Sequence, residues 1–239
     1  MAKYPYDAYA YEERYRKVYE AGTAFWEEPI PTEALVSFLH ELNPPKGLMA
    51  IDMGCGEGRD SIFLARLGFD TTGIDASRSA IKRAKEYTKT GKISMFFLVA
   101  DIRNLPIRSE VCDLVINIAS LQMLIHQNAR DKHLREAHRI LRNGGIYFSC
   151  NIRVDKPISV EEFYRKLGQE PGNLLPRKIK TYGEEKEINL PIIAAWPKSK
   201  GQYIEEFERA GFSIVKVYKG DVKPVGDCWV LIAKKSVKR

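Results

Sequence analysis

Apolar positions recur at helical spacing from the start of the chain. Tyr11, Tyr15, Val18 and Tyr19 fall on one face of a helix predicted over 7–20 and closed by Gly22. The segment Pro29-Ile30-Pro31 leads to a second helix, in which Thr32 is a candidate N-cap and Leu35, Phe38, Leu39 and Leu42 form the apolar stripe. Asn43-Pro44-Pro45 ends it. From Leu48 onward, apolar runs of strand length alternate with helical stretches. The pattern predicts strands over 48–53, 71–75, 94–100 and 146–150, with another inside 111–118. A helix over about 59–67 turns Ile62, Phe63 and Leu67 inward and stops at Gly68. Ser77 can cap a helix carrying Ala80, Ile81 and Ala84. A further helix carries Leu134, Ala137, Ile140 and Leu141 and stops at Asn143-Gly144-Gly145. Such alternation implies an α/β fold, a mostly parallel sheet with helices on both faces. Residues 154–199, with prolines, charges and weak periodicity, read as an insertion after the fifth strand. A last helix over about 201–210 and strands over 212–218 and 228–233 complete the chain.

Composition narrows the class without naming a chemistry. A length of 239 residues suits a single α/β domain with additions. Hydrophobic residues at 44% and charged residues at 29% exclude a disordered or fibrous chain. No apolar run approaches the roughly 20 residues of a membrane-spanning helix. The N-terminus carries no signal-like apolar segment, so a cytoplasmic location without membrane association is the default expectation. The net charge of +7 would suit an RNA partner or an acidic substrate. The basic residues are interspersed with acids, however, which favours an ordinary solvated surface. Cys55, Cys112, Cys150 and Cys228 stand singly, without metal-ligand spacing. They read as reduced, mostly buried thiols, and no metal is expected.

The chemistry concentrates in Ala50-Ile51-Asp52-Met53-Gly54-Cys55-Gly56-Glu57-Gly58-Arg59-Asp60, where a strand gives way to a helix. Glycines let the backbone turn sharply and approach a ligand, and the helix start offers unpaired N–H groups. A dinucleotide enzyme would place its third glycine one residue later. Asp52, Glu57 and Asp60 would also repel a pyrophosphate. They suit a cofactor with an amino-acid head, whose ammonium Asp52 can accept from directly or through water. About twenty residues on, Asp75 ends the second strand in Gly73-Ile74-Asp75-Ala76, where a carboxylate can accept from both ribose hydroxyls.

With these motifs, the sequence resembles the class I S-adenosylmethionine-dependent methyltransferases. The likeness extends to Val99-Ala100-Asp101-Ile102, to Cys112-Asp113-Leu114-Val115-Ile116-Asn117 and to Leu141-Arg142-Asn143-Gly144-Gly145. It covers 48–151, and 201–235 as the closing helix and strand pair. The resemblance implies a Rossmann-like seven-stranded sheet whose seventh strand is antiparallel. It implies S-adenosylmethionine as cofactor and S-adenosylhomocysteine as product. Asp52, Gly54, Cys55, Gly56 and Gly58 become the methionine-end and backbone-approach positions, and Asp75 and Ala76 the ribose end. Asp101 and Ile102 become the adenine contacts, with Asn117 and Ile118 as the cofactor floor. The domain then divides into an N-terminal helical cap (1–46), a cofactor-binding core (47–153), a substrate-lid insertion (154–199) and the last helix and strand pair (200–239).

Within the family, Asn117-Ile118-Ala119-Ser120 departs from the Asn/Asp-Pro-Pro-Tyr/Phe of enzymes that methylate base amino groups. Cys150 superficially matches the nucleophile of cytosine-C5 RNA enzymes, but the Pro-Cys they need after strand four is missing. The short N-terminal helices and single domain look like the small-molecule branch, including tellurite-resistance-type and thiopurine-type enzymes. The expected activity is therefore methyl transfer to a small-molecule nucleophile, achieved mainly by positioning. An RNA methyltransferase and a catalytically idle S-adenosylmethionine-binding module are the competing readings. A monomer or a homodimer fits equally.

Three features are candidates for the acceptor side. The N-terminus is rich in aromatics (Tyr4, Tyr6, Tyr9, Tyr11, Tyr15, Trp26), and Trp26 is the best candidate for a ring against the sulfonium. His126, after the fourth strand, is the candidate general base. The 154–199 insertion, with Phe163, Tyr164, Tyr182 and Trp196 among Arg165, Lys166, Arg177 and Lys180, is the candidate lid. His40, His133 and His138 read as surface or packing residues.

Overall fold

The computed structural model describes residues 8–24, 30–181, 184–222 and 226–236. Tyr4, Tyr6, Trp26 and Tyr182 lie outside the described residues, as do the side chains of Tyr9, Arg177 and Lys180.

Two helices, α1 (Ala8–Glu20) and α2 (Glu33–Leu42), precede the alternating region. That region runs β1 (Met49–Met53), α3 (Arg59–Arg66), β2 (Asp70–Asp75), α4 (Arg78–Thr90), β3 (Phe96–Val99), β4 (Cys112–Ile118), α5 (Gln127–Ile140) and β5 (Leu141–Ile152). After the insertion come α7 (Lys200–Arg209), β8 (Phe212–Val222) and β9 (Gly226–Lys235). The seven strands form one sheet in the order β3-β2-β1-β4-β5-β9-β8. All neighbours are parallel except where β9 runs antiparallel between β5 and β8.

Alternate side chains of each strand reach opposite faces. Ile51, Val115, Tyr147 and Leu231 pack with Leu134, Ala137 and Ile140 of α5 and Phe207 of α7. Ala50, Leu114, Ile116, Phe148 and Val230 pack with Leu35, Phe38 and Leu39 of α2 and Leu64 of α3. A sheet covered on both sides needs apolar residues at successive positions, which is why β1 and β4 read as nearly unbroken apolar runs. The rings of Phe38 and Phe148 stack at 5.1 Å, docking α2 on the sheet.

Register matters most for the site. Asp52 pairs with Gly73 of β2 and with Ile116 of β4. The carboxyl ends of β1, β2 and β4 therefore share one sheet edge. The chain moves outward from β1 through β2 to β3 and then returns to the other side of β1 with β4. This makes the gap between β1 and β4 the switch point, where ligands bind in open α/β sheets.

Some local expectations change. Thr32 occupies the N-cap position of α2 but makes no side-chain cap bond. Its hydroxyl and N–H both donate to Asp60, at 3.0 and 2.7 Å. Leu67 is 41% exposed, because α3 ends at Arg66 before that residue can turn inward. The helix expected to stop at Asn143-Gly144-Gly145 ends at Ile140, and Leu141 already pairs with Cys112 as the first residue of β5. Ser77 caps α4 as expected, accepting from the Ala80 N–H at 3.0 Å.

The 154–199 segment holds α6 (Val160–Leu167) and an antiparallel pair, β6 (Leu174–Thr181) with β7 (Glu184–Pro191). This pair forms a separate two-stranded sheet. Leu174 and Leu175, adjacent in β6, are both more than 40% exposed, so no inside–outside alternation marks the strand in the sequence. Among the described residues, no helix is long and apolar enough to cross a membrane. No group of three His, Cys, Asp or Glu among them could hold a metal ion.

Candidate active site

The first strand delivers Asp52 to the sheet edge, and the chain then turns through Gly54, Gly56 and Gly58, all with positive φ. Gly54, at φ 91°, has no substitute: a Cβ there would overlap the Ser120 side chain on the loop after β4. The N–H groups of Gly54 and Cys55 both donate to the Ile74 carbonyl, at 2.8 and 2.9 Å, pinning the turn to β2. The Gly56 N–H donates to Asp75 Oδ2 at 2.8 Å, and the Ser77 N–H to Oδ1 at 2.8 Å. One carboxylate thus ties the glycine turn to the start of α4. An ionised carboxylate has about four acceptor sites, so beyond the backbone N–H groups of Gly56, Ala76 and Ser77 Asp75 keeps acceptor capacity for a ligand hydroxyl.

Asp52 is buried and accepts from Ser61 Oγ at 2.5 Å. Burial, reinforced by Asp60 and Asp75 and only partly offset by Ser61, pushes its carboxyl up to about 8. Burial also raises Asp75 above the usual carboxylate range. Asp60 is committed to Thr32 and to Arg59, whose Nη2 lies 3.0 Å away. Two desolvated carboxyl groups at one sheet edge gain most from a cationic or hydrogen-bond-donating ligand, which favours their ionised forms.

A cavity of about 770 Å³ opens over this edge. It lies within the ~300–1,000 Å³ range of small-molecule sites. Asp52, Gly54, Cys55, Gly56, Asp75, Ala76, Ile102 and Ile118 all line it. Tyr11, Arg14 and Tyr15 of α1 cover one side, while α6, β6, β7 and residues 192–195 cover the other. Burial, with Asp75 and Glu57 nearby, holds the Tyr15 phenol well above its ordinary pKa, so it stays neutral.

Four expected site residues sit elsewhere. Asp101 does not line the cavity. Burial works against its charge, but Arg103 holds the carboxyl below the usual range, with Nη2 at 2.6 Å from Oδ2. Asn117 is buried beneath the floor, where its Nδ2 donates to the Met53 carbonyl at 2.6 Å and its Oδ1 accepts from the Leu121 N–H at 2.9 Å. It fixes the β4 loop to the end of β1 and presents no polar atom to the cavity. Gly58 is the left-handed N-cap of α3, packed so that a Cβ would press on the Phe97 ring at 3.1 Å, and it is outside the lining. His126 is the N-cap residue of α5 and is also outside the lining. The preceding residue, Ile125, packs against Val160 and Tyr164 of α6. Cys150 is buried with its thiol 2.7 Å from that of Cys228, which together with burial pushes its pKa up, so it is no nucleophile.

Several contributors escaped the sequence reading. Glu12 of α1 accepts from Ser77 Oγ at 2.7 Å, Ser79 Oγ at 2.5 Å and the Ser79 N–H at 3.2 Å, clamping α1 across the start of α4. Arg14 Nη1 donates to the Pro191 carbonyl at 2.9 Å, tying α1 to the end of β7. Gln122 lines the cavity and joins three segments: its Oε1 accepts from the Ile152 N–H and its carbonyl from the Trp196 N–H, each at 2.6 Å. Beneath it, buried Arg130 donates to the Leu121 carbonyl at 2.8 Å and pairs with Glu206 of α7 at 2.7 Å. His133 is buried, 2.7 Å from Tyr147 Oη and 3.4 Å from the Ile102 carbonyl, and burial lowers it to about 4. These contacts span tens of residues, and no local motif announces them.

Comparison with known proteins agrees with this geometry. Residues 51–149 match the methyltransferase domain family model. The chain is similar to the ubiquinone biosynthesis O-methyltransferase of Pelagibacter ubique, with 32% identity over 109 residues, 46% of this chain and 44% of that protein. It is also similar to the malonyl-[acyl-carrier protein] O-methyltransferase of Pectobacterium atrosepticum, with 23% identity over 77% of this chain and 66% of that protein. The matched region spans under half the length of the first of these relatives. Among solved structures, the fold is similar to the 1,6-didemethyltoxoflavin-N1-methyltransferase of Burkholderia thailandensis. The TM-score is 0.69 at 17% identity, covering 96% of this chain and 89% of that one.

Proposed function

We propose that the protein, whose residues 51–149 match the methyltransferase domain family, is a class I S-adenosylmethionine-dependent methyltransferase that methylates a small-molecule nucleophile and releases S-adenosylhomocysteine. One observation carries the reading. A single cavity joins a glycine turn and two buried carboxylates at one end to an apolar chamber under the insertion at the other. The donor and acceptor chemistry fits the cofactor. Asp52 suits an ammonium, the remaining acceptor capacity of Asp75 suits a ribose hydroxyl, and Ile102 offers an apolar face to a flat ring.

When bound, S-adenosylmethionine supplies a methyl group already activated on a sulfonium. The chain's task is then to hold and align. Asp52 and Asp75 hold the two polar ends, Tyr11 and Tyr15 exclude water from one side, and the 154–199 insertion excludes it from the other. The acceptor's nucleophilic atom would be presented from the insertion side, toward the end where Asp52 and Asp75 would hold the cofactor. The relatives named above are described as acting on a ubiquinone precursor pathway and on a malonyl carrier protein, both by O-methylation. This supports a small-molecule or carrier-bound acceptor over RNA. A monomer or a homodimer is the proposed assembly, and four free, buried thiols suit the cytoplasm.

The test is transfer of label from methyl-labelled S-adenosylmethionine into organic extracts of a mixed metabolite pool. Labelled small molecules that disappear with Asp75→Ala support the reading. Label appearing only in RNA overturns it, and S-adenosylhomocysteine binding without any transfer identifies an idle binding module.

A further inference from the structure

The cavity is chemically divided. Its lining acids are Asp52, Asp60 and Asp75, all at the ends of β1 and β2 or the start of α3. The part formed by α6, β6, β7 and 192–195 is lined by Phe163, Tyr164, Leu175, Leu190 and Ile192, among others, with no acid, lysine or histidine among the described lining residues. Tyr164 contributes its ring only, because its hydroxyl donates to the Ile193 carbonyl at 2.8 Å and accepts from the Ala195 N–H at 3.0 Å. Two leucines of this lining, Leu167 and Leu175, remain 51% and 43% exposed. An apolar surface therefore continues from the chamber to the outside of the molecule. Large apolar residues grouped at a cavity mouth mark a ligand route more often than chance exposure.

We propose that the methyl acceptor is an amphiphile: its non-cationic polar head reaches the cofactor end, and its hydrocarbon tail lies along the insertion and leaves over Leu167 and Leu175. This rests on the methyltransferase reading for the identity of the head-group end. The tail assignment rests only on the lining. A cationic head is disfavoured because Arg59 and Asp60 are paired with each other and Asp52 and Asp75 serve the cofactor, which leaves Arg14 as the remaining charged lining residue on the acceptor's path. A short hydrophilic acceptor would leave the apolar wall facing water.

The experiment is calorimetric titration of the full-length protein, loaded with S-adenosylhomocysteine, with straight-chain alkanoates from hexanoate to dodecanoate below their micellar concentrations. Alkylamines of equal length serve as the opposing series. Affinity should rise about fourfold per methylene and level off once the tail passes Leu175. Alkanoates should bind more tightly than amines. Leu175→Glu, at a half-exposed position, should weaken dodecanoate about tenfold and leave S-adenosylhomocysteine binding intact. Affinity independent of chain length, tighter binding of amines, or an unaffected L175E variant overturns the proposal. Failure of S-adenosylhomocysteine to bind would instead overturn the cofactor reading, and the alkanoate series on the ligand-free protein would still judge the tail assignment.

Discussion

Replacing Asp52 by Asn separates what this carboxylate does for the fold from what it does for the ligand. Burial moves its pKa from 3.8 in a free chain to about 8 in the native state. Over that interval the native state holds a proton that the unfolded chain has released. Stability therefore falls as pH rises, by at most about 1.4 kcal/mol per pH unit. His133 acts with the opposite sign. Burial lowers it from 6.5 to about 4, so between those values the unfolded chain holds the extra proton and stability rises with pH. The Asp52 and His133 slopes oppose one another between pH 4 and 6.5. From pH 6.5 to about 8 the Asp52 contribution stands clear of His133 and should fall by about 2 kcal/mol, and comparison with the variant separates it from other shifted groups such as Asp75. In Asp52→Asn the amide oxygen can still accept from Ser61, so packing is kept while the slope disappears. Urea unfolding of ligand-free wild type and variant at pH 6.5, 7.2 and 8 reads this directly. The variant should gain on the wild type with pH, by up to about 2 kcal/mol at pH 8. It should also bind S-adenosylhomocysteine at least roughly tenfold more weakly, through loss of a charge-assisted bond. Parallel pH dependences for the two proteins would refute the assignment of a buried, proton-holding Asp52.

Other substitutions test separate parts of the account. Gly54→Ala combines a positive φ with overlap on Ser120 and should cost about 1–3 kcal/mol in thermal unfolding. Glu12→Ala removes three bonds that hold α1 over the cavity. It should weaken S-adenosylhomocysteine binding several-fold with little change in melting temperature, and an unchanged Kd would mean that α1 is not a cover. Arg130→Met leaves Glu206 buried without its main partner and should cost about 3 kcal/mol, near the lower end for a broken buried pair, because Lys198 lies 3.7 Å from the same carboxylate. The double variant Arg130→Met/Glu206→Leu should recover part of that loss in a denaturation cycle. Additive losses would show that the two side chains act independently.

What could be read from the sequence is what local chemistry encodes. The glycine turn, Ser77 as a cap and Asp75 at a strand end are short-range devices, and the alternating apolar runs follow from a sheet covered on both faces. The readings that moved did so because of competing partners. Asp101 lies two residues from Arg103, whose guanidinium pairs with both of its carboxylate oxygens. Asn117 answers to the Met53 carbonyl, 64 residues away in sequence but one strand away in space. Thr32 exchanges its helix cap for Asp60, 28 residues on. His126 lies on the right loop, but α5 begins at the following residue and Ile125 turns into the α6 contact. The β6–β7 pair carries no clean alternation because much of it is solvated. Its apolar residues acquire meaning only once they are seen to line the cavity.

The central claim is that one cavity binds S-adenosylmethionine through Asp52 and Asp75. Calorimetric titration of the wild type and Asp75→Ala with S-adenosylmethionine, S-adenosylhomocysteine and NAD tests it most directly. The account predicts one-to-one binding of both sulfur ligands, loss of that binding in the variant, and no heat from NAD. Binding of NAD alone, or sulfur-ligand binding that Asp75→Ala leaves untouched, would contradict it.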